Sequence, residues 1–152
     1  MPEPVITTAR SPRHDLPYLF PAQAQKEAFV NEALARLDAL VQTVVDGERD
    51  GPPTSPERGD CFIVGEGASG AWSGHTGAIA IWAEGQWLFT PAFEGMQAYD
   101  LDSASVATYR ADSGWRRLAV PALPSGGAVQ DIEARAAIAA LAASLRSLGI
   151  FA

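Results

Sequence analysis

Two prolines fix how this chain can begin. Pro17 and Pro21 lock their own φ angles and push the residue before each toward an extended conformation, so residues 16–20 read as an extended apolar segment. Pro21 also suits the first turn of a helix, where its missing N–H is not needed. Ala22, Gln23, Ala24, Gln25, Lys26, Glu27 and Ala28 follow, a run rich in strong helix formers. The spacing predicts one long helix over residues 21–45, stopped by Asp46-Gly47. At about 1.5 Å per residue its length is roughly 35 Å.

Along that helix Val30, Leu34, Leu37, Val41 and Val44 recur at steps of four, three, four and three. This is an a/d seam with a 3.5-residue period. Such a seam either packs a single helix on its own domain or joins helices of several chains. The face upstream is polar, with Gln23 and Glu27, so the seam occupies only the second half. We therefore expect two surfaces in series. Residues 1–20 form an extended attachment arm, and Leu16, Tyr18, Phe20, Gln23, Gln25 and Glu27 dock the chain to a larger assembly.

Charged residues are 19% of the chain and apolar residues 47%, against a usual quarter charged. A surface with few charges is often covered by a partner. The formal net charge is −7 with a pI near 4.7. Lys26 is the sole lysine and there is no basic run. Nucleic acid and anionic membranes are therefore not expected partners, since phosphate binding needs clustered Lys and Arg. Residues 1–10 lack the apolar core of a signal peptide, and no stretch is long enough to span a bilayer. We expect a soluble protein made in the cytoplasm, without membrane insertion. Cys61 lies in the apolar run Cys61-Phe-Ile-Val64 and reads as a buried small hydrophobe.

Residues 46–59 hold Pro52, Pro53 and Pro56 with Gly47, Gly51 and Gly59, and read as a linker. Residues 60–118 read as an antiparallel β module, a meander of about six short strands at 60–64, 78–83, 86–90, 96–101, 106–110 and 115–118. Glu84-Gly85 is placed as a two-residue hairpin turn. Nine of the thirteen aromatic residues fall in this module, which puts the core there. After a second Pro/Gly linker, residues 129–148 form a C-terminal helix. In it Ala134, Ile138, Leu141, Leu145 and Leu148 repeat the same steps. The fold expected is α+β: a long N-terminal helix, the β-meander and a C-terminal helix. The two helices pack either as a hairpin within one chain or as an oligomeric bundle across chains. The second option makes Val30, Leu34, Leu37, Val41, Val44, Ile138, Leu141, Leu145 and Leu148 an oligomerisation seam.

Gly65-Glu-Gly-Ala-Ser-Gly70 matches the dinucleotide fingerprint. Its context does not, because no helix opens at the third glycine and no acidic strand end follows about 20 residues on. It reads as a Gly-rich loop between strands. Trp72 and His75 on this loop are candidates for stacking against a sugar ring, provided Trp72 is exposed and coplanar with another Trp. The alternative is that they fill the core. His14 and His75 have no metal-ligand spacing, and Asp100 and Asp102 lack the alternating ligands of a Ca²⁺ loop. Ser69, Ser73 and Ser103 show no nucleophile elbow. No cofactor, metal or catalytic residue is expected, and the chain does not read as an enzyme.

Leu16-Pro-x-x-x-Pro21-x-Gln-Ala-Gln-Lys26, Asn31-Glu-Ala-Leu34 and Leu37-Asp-Ala-Leu40 resemble the opening signature of a family of uncharacterised domains. That family is found in prophages and gene transfer agents of alphaproteobacteria. The likeness continues through Pro56-x-x-Gly-Asp60-x-x-x-Val64, Gly70-Ala-Trp72-x-Gly74-His75 and Trp82-x-x-Gly85-x-Trp87-x-Phe89-x-x-Pro91. It ends with Gly95, Tyr109 and Gly114-Trp115. The resemblance implies a structural part of a phage-like particle: a tail fibre, a baseplate attachment or a head spike. It implies partners among virion proteins and no catalytic residues. We expect a homo-oligomer, with a trimer favoured, assembled into the virion and reaching a host-surface polysaccharide. A carbohydrate-binding module is the alternative function, and a glycan hydrolase a more remote one.

Overall fold

The computed structural model describes residues 9–19, 26–127 and 131–151. The chain divides into two compact units, Met1–Ala92 and Phe93–Ala152.

The first unit opens with residues 9–19, which turn back on themselves. The Ser11 N–H donates to the Leu16 carbonyl (2.9 Å) and the Tyr18 N–H to the Ala9 carbonyl (3.0 Å). Helix α1 then spans Lys26–Leu40. The long helix expected over 21–45 is thus a short one, and residues 20–25 lie outside the described part. Its early end has a cause in the preceding arm. The Arg13 guanidinium donates to the Ala39 carbonyl (3.5 Å) and the Val44 carbonyl (2.7 Å). The Thr43 hydroxyl donates to the Leu40 carbonyl (3.1 Å). Gln42 adopts a left-handed φ of 51°, which breaks helical continuation. A last turn without a basic residue of its own thus receives its cation from the arm.

This ending breaks the expected seam. Val41 lies in the turn and Val44 opens strand β1, Val44–Val45. The buried face of α1 is Ala35, Asp38 and Ala39. Val30, Leu37 and Phe29 are exposed, and Leu34 is half-buried. Among the described residues, the seam expected from Val30 to Val44 is therefore not continuous along α1.

The β region also differs from a single antiparallel meander. Eight short strands are arranged in two sheets. In the first unit β2 (Glu48–Arg49), β3 (Cys61–Val64), β4 (Ile79–Ala83) and β5 (Gln86–Thr90) are neighbours in that order. The β2–β3 pairing is parallel, whereas β3–β4 and β4–β5 are antiparallel. Strand β2 falls inside the region read as a linker. It has two charged, exposed residues and no apolar pattern to announce it. β3 is buried at every position. Phe62 and Val64 face a cluster with Ala80, Trp72, Trp87 and Phe89. Cys61 and Ile63, opposite Ile81 and Ile79, lie on the other face, and α1 packs against β4.

In the second unit β6 (Gln97–Asp100), β7 (Ser105–Arg110) and β8 (Gly114–Arg117) are antiparallel neighbours. Helix α2 spans Ile132–Ser147, with Asp131 as its N-cap accepting from the Ala134 N–H (2.9 Å). Its C-terminal tail returns to the sheet. The Val106 N–H donates to the Gly149 carbonyl (2.7 Å), and Leu118 bridges Phe151 in parallel.

Candidate functional site

The Gly-rich loop is built around a carboxylate of the chain itself. Asp50 follows β2, and its Oδ1 accepts from the Gly67 N–H (3.0 Å). Its carbonyl accepts from the Ser69 N–H (2.7 Å) and hydroxyl (2.9 Å). A Cβ at Gly65 would collide with Asp50 Oδ1, and one at Gly67 would lie 2.7 Å from Oδ2. The two leading glycines of the G-x-G-x-x-G run are there because the Asp50 side chain fills the space beside them. Loop N–H groups that could cradle a phosphate are already bonded within the chain: Gly67 to the Asp50 carboxylate, Ser69 to the Asp50 carbonyl and Gly65 to the Arg49 carbonyl.

After this loop the 3-10 turn Gly70–Trp72 drives Trp72 into the core, with none of its surface exposed. Its ring meets Trp87 edge-on at 5.0 Å and 89°, and Phe62 at 5.7 Å and 42°. Trp82 and Trp87, partners across β4 and β5, stand 5.0 Å apart at 55°. No pair of these rings is coplanar and open, so the condition set for Trp72 as a sugar platform is not met. His75 is exposed on the same loop and stacks on Phe89 at 3.7 Å and 2°, which occupies one of its faces.

The arm residues meet α1 rather than open solvent. Asp38 is buried and accepts from the Ser11 hydroxyl (2.5 Å), the His14 N–H (2.7 Å) and the Arg13 N–H (3.0 Å). Burial pulls its carboxyl upward. The hydrogen bonds from Ser11, His14 and Arg13 outweigh that pull and hold it below the ordinary 3.8. Leu16 is half-buried and its N–H donates to the Ser11 hydroxyl (2.9 Å). Tyr18 is buried with the Arg58 guanidinium 5.5 Å above its ring, and burial raises its phenol pKa. Asn31 clips the Leu19 backbone through both side-chain atoms, at 2.8 and 3.1 Å. Glu27 lies half-buried on α1. Phe20, Gln23 and Gln25 lie outside the described residues.

The seam residues of α2 are mostly open. The helix buries none of its residues, and Ile138, Leu141 and Leu148 are exposed, while Leu145 is half-buried.

One feature of the second unit was not anticipated. Gln97, Thr108 and Arg116 are register partners across β6, β7 and β8. Val106 and Arg110 flank Thr108 on the same face. With Leu118 and Ile150 they line a groove of about 560 Å³. Its apolar end is Val106, Leu118 and Ile150, and its other end is cationic. Arg110 pairs with exposed Glu94 (3.2 Å) and Arg117 with buried Asp100 (2.5 Å), whereas Arg116 makes no ion pair among the described residues. The alternation of Thr108-x-Arg110 with Arg116-x-Leu118 was the available signal.

Cys61 is fully buried, and burial pushes its thiol up to about 12, so it stays protonated. Among the described residues no group of three His, Cys, Asp or Glu side chains could hold a metal ion. No helix among them is long and apolar enough to cross a membrane.

The first unit thus holds a glycine loop closed on its own aspartate and a buried tryptophan turn. The chain belongs to the family described as "Protein of unknown function (DUF2793)", whose model matches residues 30–116, more than half of the sequence. A search of the curated proteins gives no match.

Proposed function

We propose that this chain is a non-catalytic structural subunit of a phage-like particle, a tail-fibre, baseplate or spike component. In this reading it works as a homo-oligomer and contacts other virion proteins. The observation that carries it is α2. A sixteen-residue helix with an apolar face buries no residue within the chain, and a helix of this kind is ordinarily stabilised by packing that face. Apolar surface left in water at this scale fits an assembly contact. The opening motif around Pro17 and Pro21, which resembles that of prophage and gene-transfer-agent domains, points the same way. A sugar-binding role for Trp72 draws no support from a ring enclosed in the core.

The test is mass in solution with localisation on particles. Light scattering at micromolar concentration is expected to give a multiple of 16.0 kDa. Antibody labelling is expected to decorate purified particles from a host carrying the gene. A clean monomer, together with unlabelled particles, overturns the proposal.

A further inference from the structure

We propose that the groove of the second unit receives the first turn of α2 from a second copy of this chain, a head-to-tail contact that rests on the homo-oligomer reading above. The groove is apolar at Val106, Leu118 and Ile150 and cationic at Arg110 and Arg116. The chain as a whole carries a net charge of −7, so another copy is an acidic partner for it. One segment of that copy has matching chemistry. Asp131-Ile132-Glu133 sets an apolar side chain between two acids, and Ile132 is 76% exposed.

The first turn of α2 is presented in formed shape. Asp131 caps it, and the Arg135 guanidinium donates to the carbonyls of Pro124 and Gly126, which ties the exposed linker to the helix start. Ile132 enters between Val106, Leu118 and Ile150. The Glu133 carboxylate meets Arg116, which has no ion pair of its own among the described residues. Arg110 assists, since its exposed pair with Glu94 is weak and exchangeable. Because the groove and the inserted turn are different surfaces, the contact is heterologous and closes into a ring when the rotation permits.

The experiment is a charge swap read by light scattering, with circular dichroism confirming the fold of each variant. Arg116→Glu and Glu133→Arg are each expected to raise the half-dissociation concentration at least tenfold. Arg116→Glu combined with Glu133→Arg in one chain is expected to restore it. Ile132→Ser should weaken assembly without charge reversal. A wild-type oligomer whose mass neither single swap alters overturns this contact and leaves the homo-oligomer reading standing. So does a folded double swap that stays dissociated. A wild-type monomer of 16.0 kDa overturns both.

Discussion

Asp50 and Asp38 act alike in the first unit. Each carboxylate accepts from loop N–H groups, Asp38 from two and Asp50 from one, and replaces the water those groups would otherwise need. Asp46 does the same for the Cys61 N–H (3.0 Å), Asp60 for Glu57 (2.9 Å) and, in the second unit, Glu94 for Ala111 (2.7 Å). These five of the chain's eighteen acidic residues therefore hold its own backbone N–H groups. A Cβ at Gly65 would collide with Asp50 Oδ1 and crowd the Arg49 carbonyl at 3.3 Å, so Gly65→Ala forces the Asp50 carboxylate aside and is expected to destabilise the fold by about 1–3 kcal/mol, the range of an overpacked site. Urea titration measures the loss, and Asp50→Ala added to Gly65→Ala should recover part of it. Asp38 adds a pH dependence. Its folded pKa lies below the unfolded value near 3.8, so its stabilisation is present above that pH and fades as pH falls through the folded pKa. Urea midpoints should drop more between pH 5 and pH 3 for the native chain than for Asp38→Asn. Equal drops would show that the bonds from Ser11, Arg13 and His14 to Asp38 do not stabilise the fold.

At the scale of elements, the C-terminal tail is fastened by geometry that tolerates little. Gly149 has φ 71°, and a Cβ there would lie 2.7 Å from the Tyr99 ring and 3.2 Å from the Ala104 carbonyl. Gly149→Ala is expected to cost about 1–3 kcal/mol through backbone strain and this clash. It should also speed hydrogen exchange at the Val106 N–H, which donates to the Gly149 carbonyl. Unchanged exchange at Val106 would show that the tail does not depend on that glycine. The tail itself was legible as a helix stop at Gly149 followed by apolar residues, but the burial of Phe151 was not. Six of the strands, β3 to β8, fall within a residue of the segments read as strands. β3 and β4 were legible as short, nearly continuous apolar runs, as buried strands are, whereas β6 and β7 alternate in burial along most of their length. Neither pattern announces β2, whose two charged residues are placed by the backbone of β3. The 3.5-residue seam misled for a different reason. It ranked side chains by size, whereas α1 approaches β4 through Ala35 and Ala39 and is anchored by Asp38. The Gly-rich loop could be refused as a nucleotide site from its sequence, yet the partner that explains it, Asp50, lies 15 residues before Gly65. No local pattern ties the two.

At the scale of the whole molecule, the question is whether folding and assembly draw on different apolar residues. Leu88 is buried in β5, while Leu141 is 60% exposed on α2. An aspartate at Leu88 buries an unpaired charge, a change that unfolds marginal domains. An aspartate at Leu141 remains in water within a single chain, where surface substitutions usually stay within about 0.5 kcal/mol. If copies or virion partners cover that face, the same aspartate becomes buried on association and opposes it. Leu141→Asp is therefore expected to keep the urea midpoint of the native chain while lowering its mass in solution toward 16.0 kDa. Leu88→Asp should lose the cooperative transition altogether. A Leu141→Asp variant that retains the native mass, or that loses its folded transition, would place that side chain in the service of the single chain. The open face of α2 would then no longer argue for assembly.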